Sequence, residues 1–162
     1  PATRSESQGR WLRCALSSSS KLAGSKKMTM RTEDVKHIVV HCSKTTARQS
    51  DGLAAVERKC RLRGALSCGY HFVIARDGTR SNGRALTEPG NHLLGHNQSS
   101  LAICLVGMPG KATPAQKASL RVLLDILAEQ FPNARAVTHE ELQPGTGRGC
   151  PGFKIKEIHG GT

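Results

Sequence analysis

Short apolar runs rich in branched side chains alternate with amphipathic helical segments along this chain, and this alternation limits the possible folds more than any other feature. Strand-like runs separated by segments of helical period are typical of α/β domains. The strand-like runs are residues 36–42, 70–75, 101–106 and 134–138. The pattern predicts a single α/β domain with a small central mixed β-sheet flanked by helices.

Two segments between these runs have the period of an amphipathic helix. Residues 51–63 carry apolar side chains at helical spacing, and Gly64 ends the pattern. A stronger helix begins at Thr113, an N-cap residue, with Pro114 at the first helical position. Pro132 ends it. An Asp-Gly turn at residues 77–78, a glycine-rich loop before Cys150 and a short final turn or helix complete the prediction.

The chain carries 24 Lys and Arg against 12 Asp and Glu, a formal net charge of +12 at pH 7. This excess predicts an anionic partner such as nucleic acid, an acidic membrane surface or an acidic cell wall. No helix-turn-helix signature, paired-cysteine zinc finger or basic aromatic platform occurs, so we do not expect nucleic acid as the main substrate. No apolar run approaches the roughly 18–20 residues that cross a bilayer, so no membrane span is expected.

The first 30 residues differ in composition from the rest. Residues 1–27 hold six Lys or Arg against one Glu and show no sustained periodicity. Such a segment buries too little apolar surface to offset the entropy of ordering it. We expect a disordered basic leader over residues 1–30, a folded domain over residues 31–162 and no signal peptide. A transit peptide, an alternative start and a membrane-active tail all fit the composition of the leader.

Six cysteines allow either a disulfide framework or a set of free thiols. Without a signal peptide, the reduced state is the expectation. Cys42 and Cys104 lie inside apolar strand-like runs and are expected to be small buried thiols.

Three residues with metal-ligating side chains fall at the ends of predicted elements. His41 lies near the end of the first strand, His139 directly follows the last strand, and Cys150 lies in the next loop. Two histidines and one cysteine would leave the fourth position of a tetrahedral zinc open, as catalytic zinc sites require. By spacing alone the metal signal is weak, and ordinary core or surface side chains explain these residues better.

The sequence around these residues contains a series of short motifs. In chain order they are IVVHCS at 38–43, GYHF at 69–72, DGT at 77–79, His92 with GHN at 95–97, TPAQ at 113–116, THEE at 138–141 and CPGF at 150–153. Together they resemble the bacteriophage-lysozyme type of N-acetylmuramoyl-L-alanine amidase, a zinc amidase family related to the animal peptidoglycan recognition proteins. The resemblance spans roughly residues 35–158 and does not include the leader.

The resemblance implies a set of site residues. His41, His139 and Cys150 would hold one zinc ion per chain, and Tyr70 would support catalysis. Arg148 stands where the family has lysine two residues before the cysteine ligand. Arginine keeps the positive charge and can stabilise an oxyanion, but it is a poor general acid because its pKa exceeds about 12.

Further expectations follow for the substrate cleft. His92, His96 and Asn97 are expected to line it, whereas His71 should point away from Tyr70 and act structurally. A Trp-His pair of the family is replaced by Lys59 and Cys60, which changes one wall of the groove. The loop over residues 143–149 looks longer than in the phage enzyme.

The implied function is zinc-dependent hydrolysis of the bond between N-acetylmuramic acid and L-alanine in bacterial peptidoglycan, leading to lysis. We expect a monomer made in the host cytoplasm that acts on the cell wall after release. Three alternatives remain open. They are a non-catalytic peptidoglycan-recognition module, a muramidase using Glu140 and Glu141, and additional regulatory binding to an RNA polymerase.

Overall fold

The computed structural model describes residues 29–46 and 52–159, so residues 1–28 of the predicted leader lie outside the described residues. The described residues form five strands, three α-helices and two short 3-10 helices, Thr32–Asp34 and Ile155–Glu157. In chain order the strands and α-helices are β1 His37–Cys42, α1 Gly52–Leu62, β2 Phe72–Ile74, β3 Arg80–Asn82, β4 Ser100–Leu105, α2 Pro114–Gln130, β5 Arg135–Thr138 and α3 His139–Leu142. The predicted α/β class is confirmed.

The strands form one mixed sheet in the order β3-β2-β4-β1-β5. β1 pairs in parallel with both β4 and β5, β4 pairs in parallel with β2, and only β3 is antiparallel to its neighbour. Parallel strands are covered on both faces, which explains why every residue of β4 and all but the first residue of β1 are buried. β1, β4 and β5 all end at one edge of the sheet, so the residues that follow them meet there.

One face of the sheet packs on α2. Leu120, Leu123, Leu124 and Leu127 lie in one cluster with the strand residues that alternation places on that face. The predicted N-cap is confirmed, because the Thr113 hydroxyl accepts a hydrogen bond from the Gln116 N–H at 3.1 Å. The buried Gln116 amide also donates to the backbone carbonyls of Ile74 and Val106, which ties the start of α2 to the sheet.

The opposite face carries α1, whose Val56 packs against Val73 and Cys104. Here the side chains are smaller and the packing is less extensive. Leu62, the last residue of the helix, and Leu66, four residues beyond it, are exposed. This more open face contains the residues with candidate chemistry.

The structure differs from the sequence prediction in four places. β2 begins at Phe72 rather than at residue 70, and the short elements β3 and α3 were not predicted. Met30, assigned to the leader, is buried, and its N–H donates to the Thr87 carbonyl at 2.8 Å, so the folded domain begins earlier than residue 31. Within the described residues, no helix has the length and apolar character that a bilayer crossing requires.

Candidate active site

His41 lies at the carboxyl end of β1 and is buried. Alternation along the strand turns its side chain away from α2, toward the more open face of the sheet. Its ring lies close to three other rings, those of His139, His92 and Tyr70, at centroid distances of 4.8, 5.0 and 5.5 Å. His41 is therefore the centre of the site.

His139 reaches the same place from the neighbouring strand. β5 runs parallel to β1 and ends at Thr138, so the next residue leaves the sheet at the same edge. Thr138 and Glu141 form a capping box, with hydrogen bonds of 3.1 and 2.8 Å, which fixes the first turn of α3. As a result the Nδ1 atoms of His41 and His139 are 3.1 Å apart.

Cys150 arrives on the glycine-rich loop, residues 143–149. Gly145 and Gly149 have φ angles of 79° and 72°, in the left-handed region that glycine adopts without steric cost. These turns return the chain to the sheet edge, where the buried Cys150 sulfur and the ligand nitrogens of His41 and His139 all lie within 4.8 Å of one another. The structure thus brings together the three predicted metal ligands.

The donor atoms suit a zinc ion. Two imidazole nitrogens at about 2.0–2.1 Å from a tetrahedral zinc lie roughly 3.3–3.4 Å from each other, close to the separation found here. His139 Nε2 is 3.2 Å from the Thr146 hydroxyl, which donates its own proton to the Gln143 carbonyl. The hydroxyl therefore accepts a proton from Nε2, and His139 Nδ1 keeps a free lone pair. Two nitrogens and one sulfur leave a fourth position open.

The electrostatics of the two histidines also favour metal binding. Burial lowers the pKa of His41 well below its ordinary value, and neighbouring His92 and His139 lower it further. Burial likewise lowers the pKa of His139. Both rings are therefore neutral at pH 7, the state in which imidazole binds a metal.

Cys150 is paired with a second thiol. Its sulfur lies 3.3 Å from the Cys42 sulfur and accepts the Cys42 backbone N–H at 3.0 Å. The Cys42 thiol donates to the same sulfur. Because two donors point at Cys150, the negative charge of the pair is best placed there, the state in which cysteine binds a metal. All five cysteines in the described part of the chain are free thiols.

Tyr70 lies beside His41, just before β2. Burial raises the pKa of its hydroxyl far above the ordinary value, so the group stays protonated and can only act as a donor to an anion. Tyr70, His92 and Asn97 line a cavity of about 400 Å³ that opens along the end of α1. Cys60 and Arg63 line its other side.

The residues expected to line the cleft have different surroundings. His92 lies on the cavity wall, but its ring nitrogen Nδ1 is 2.9 Å from His41 Nε2. The Asn97 side chain accepts the backbone N–H groups of His92 and Leu93, and so holds their loop. His96 does not line this cavity; its ring packs against His37 at 6.1 Å. His71 is buried and contacts the backbone of Glu88 and Ala102 through its two ring nitrogens, consistent with a structural role.

Arg148 lies on the glycine-rich loop and is exposed. Its φ angle of 48° is in the left-handed region, which is uncommon for a residue with a side chain. Its positive charge is in contact with solvent, two residues before Cys150 in the chain.

Glu140 organises this loop, a role that sequence reasoning missed. Its carboxylate accepts the backbone N–H groups of Gly145 and Gly149 at 2.8 and 3.2 Å. Its neighbour Glu141 is bound to the backbone of Thr138. Both carboxylates are thus committed to backbone groups, which argues against their use as a muramidase pair.

Two lysines also fix the loops around the site. Lys59 on α1 donates to the backbone carbonyls of Ser43 and Lys44, directly after β1. Lys44 in turn donates to the Gly147 carbonyl at 2.9 Å, on the glycine-rich loop. The residue at position 59 therefore braces the loop after β1 instead of forming a wall of the groove.

Comparison with known proteins agrees with this geometry. A family model described as N-acetylmuramoyl-L-alanine amidase matches residues 31–153. The endolysin of Escherichia phage T7 is 37% identical over 131 residues, which cover 76% of this chain and 85% of that protein.

Two solved structures share the fold. The endolysin amidase LysCS from Clostridium intestinale URNW has a TM-score of 0.66 and 24% identity, covering 84% of this chain and 90% of that one. Bumblebee PGRP-SA has a TM-score of 0.63 and 18% identity, with 85% and 87% covered.

Proposed function

The chain belongs to the N-acetylmuramoyl-L-alanine amidase family, and from this membership we propose how its own residues cleave the amide bond between N-acetylmuramic acid and L-alanine in peptidoglycan. His41, His139 and Cys150 hold one zinc ion per chain. The observation that carries this proposal is the meeting of two nitrogens and one sulfur within 4.8 Å, at a sheet edge beside the Tyr70 cavity.

Zinc bound there would polarise the scissile carbonyl and lower the pKa of a bound water toward neutrality. The neutral imidazoles of His41 and His139 supply lone pairs, and Cys150 supplies negative charge. The two hydrogen bonds from Cys42 keep that thiolate directed into the site.

Tyr70 and Arg148 stabilise the negative charge that develops on the carbonyl oxygen. The Tyr70 hydroxyl is a fixed, partly buried donor, which is the arrangement that stabilises an oxyanion most effectively. Arg148 contributes a cation from the solvent side. Because it is exposed, water screens its charge and its contribution is the smaller of the two.

The cavity beside Tyr70 receives the substrate on either side of the scissile bond. His92 and Asn97 form part of its wall. We propose His96 only as support for this wall, since it packs behind it on His37. The net charge of +12 favours adsorption to the anionic polymers of a bacterial wall.

The biological role that best fits these features is lysis of the cell wall. Among the relatives is a phage endolysin. We propose that this chain acts on the cell wall after its release, as a monomer.

The test is to digest isolated peptidoglycan with the purified protein. We expect new L-alanine amino groups without new reducing sugar ends, one zinc per chain by metal analysis, loss of activity on chelation and recovery with added zinc. Full activity after verified metal removal would contradict the zinc proposal. Reducing ends without amino groups would contradict the amidase assignment.

A further inference from the structure

The ring of His92 lies between two hydrogen-bond partners, and this position indicates a role other than substrate contact. Its Nδ1 is 2.9 Å from His41 Nε2, and its Nε2 is 3.2 Å from the Ser100 hydroxyl. Ser100 is fully buried at the start of β4. A continuous row of hydrogen bonds therefore runs from the predicted metal ligand into the sheet.

The direction of these hydrogen bonds follows from their innermost member. The Ser100 hydroxyl donates its single proton to the backbone carbonyl of His96 at 2.6 Å. A carbonyl cannot donate, so Ser100 must be the donor in its hydrogen bond to His96. Toward His92 the same hydroxyl oxygen can only accept, and His92 Nε2 must carry the ring proton.

The protonated nitrogen of His92 in turn determines which nitrogen of His41 carries a proton. A neutral imidazole with its proton on Nε2 has a lone pair on Nδ1. His92 Nδ1 therefore accepts a proton from His41 Nε2. The proton of neutral His41 is then on Nε2, and its Nδ1 faces His139 Nδ1 with a free lone pair.

We infer that His92 and Ser100 are positioning residues that hold His41 in the tautomer whose Nδ1 binds the metal. This inference rests on the proposed zinc site. The backbone carbonyl of His96 sets the tautomer through Ser100 and His92, so His41 presents the correct nitrogen before the metal arrives. Partners that orient a ligating histidine typically change metal affinity by about 10–100-fold when removed.

Zinc affinity of the metal-free protein, measured by competition with a chromophoric chelator, tests the inference without relying on activity. His92→Phe keeps a ring but accepts no proton, and we expect it to weaken zinc binding by about 10–100-fold. Ser100→Ala should weaken it by a smaller factor that still exceeds twofold. His92→Gln restores an acceptor oxygen and should recover part of the loss. Ser99→Ala, the same change one residue away and outside the row, should leave zinc affinity unchanged.

The tautomer itself is observable in the unmodified protein. Nitrogen-15 NMR of the metal-free protein should show the His41 proton on Nε2 and a bare Nδ1. A proton on His41 Nδ1 would overturn the inference, even if a variant failed to fold. So would zinc affinities of His92→Phe and Ser100→Ala within twofold of the Ser99→Ala control. Absence of zinc binding by the wild-type protein would instead refute the proposed zinc site.

Discussion

The two halves of the site are built in different ways. The strand half consists of His41, Tyr70 and His92, on or beside the central strands, where side-chain packing and a buried row of hydrogen bonds hold them. The loop half consists of His139, Arg148 and Cys150, around the glycine-rich loop. This half is held mainly by hydrogen bonds that Glu140 accepts from backbone N–H groups and that Lys44 donates to a backbone carbonyl, several of them exposed to solvent. The comparison indicates that the sheet holds its side chains more rigidly than the loop does, and that the last predicted ligand, Cys150, depends on how firmly the loop is attached.

The largest effect is expected from this last predicted ligand. Cys150→Ser should lose zinc and activity while remaining folded, because a neutral hydroxyl is a poor substitute for a thiolate. Cys42→Ser should keep zinc and instead lose stability, by about 1–3 kcal/mol, since it adds a hydroxyl to a buried site. Cys104→Ser is the matched control on the sheet and should behave like Cys42→Ser. Metal analysis and thermal unfolding distinguish these outcomes. If Cys42 determined zinc content, the ligand assignment would be wrong.

Variants of Tyr70 and Arg148 compare one proposed catalytic residue from each half of the site. Tyr70→Phe should lower kcat by about 10²–10³ with little change in KM, because it removes a fixed donor to the oxyanion. Arg148→Ala should lower kcat by roughly fivefold or less, since an exposed charge interaction is weak. Arg148→Lys keeps the charge and should retain most of the activity. An Arg148→Ala variant slower than Tyr70→Phe would show that the loop folds over the substrate and shields that charge from water.

The attachment of the glycine-rich loop can be tested without altering any ligand. Glu140→Ala removes the acceptor for two loop N–H groups and should weaken zinc binding by roughly tenfold, as losses of supporting contacts do. Glu129→Ala, an exposed carboxylate on α2, is the control and should have no effect. Chelator competition measures both. An unchanged zinc affinity in Glu140→Ala would mean that Lys44 and the Cys42 pair suffice to hold the loop.

The smallest effect is expected from the leader, which belongs to neither half. Deletion of residues 1–27 should leave the unfolding midpoint and the activity on isolated wall nearly unchanged, because the segment has no apolar stripe. Calorimetry and wall digestion with the shortened chain measure both quantities. A drop of several degrees in midpoint would show that the leader packs on the domain.

The sequence predicted the strands and helices that are specified by residues close together in the chain. β1, β4 and α2 were located closely because uninterrupted apolar runs and a capped amphipathic stripe specify them. β3 was missed because Arg80, Ser81 and Asn82 form a polar edge strand, whose pairing depends on its partner. The four-residue helix α3 is too short to show a period.

The site was predictable only in part, for a related reason. The three predicted ligands are brought together by strand order and register, which spacing along the chain does not encode, so the family resemblance was needed to select them. The same resemblance placed His92 on the cleft wall. It gave no sign that the ring of His92 is hydrogen-bonded to His41, or that Glu140 and Lys44 fix the loop, because these are contacts of the folded chain.

The distance between the ligands along the chain has a consequence for folding. His41 and His139 are 98 residues apart, and Cys150 lies close to the end of the described domain. A zinc ion bound by all three would therefore tie the first strand to the last segment. A cross-link that closes a loop of about 100 residues lowers the entropy of the unfolded chain, which raises the free energy of unfolding by about 4–5 kcal/mol. Bound zinc would therefore stabilise the whole domain. A nascent chain that has not yet extended to Cys150 cannot bind zinc through all three residues, and the ability to cut cell wall would be acquired only after Cys150 has been synthesised.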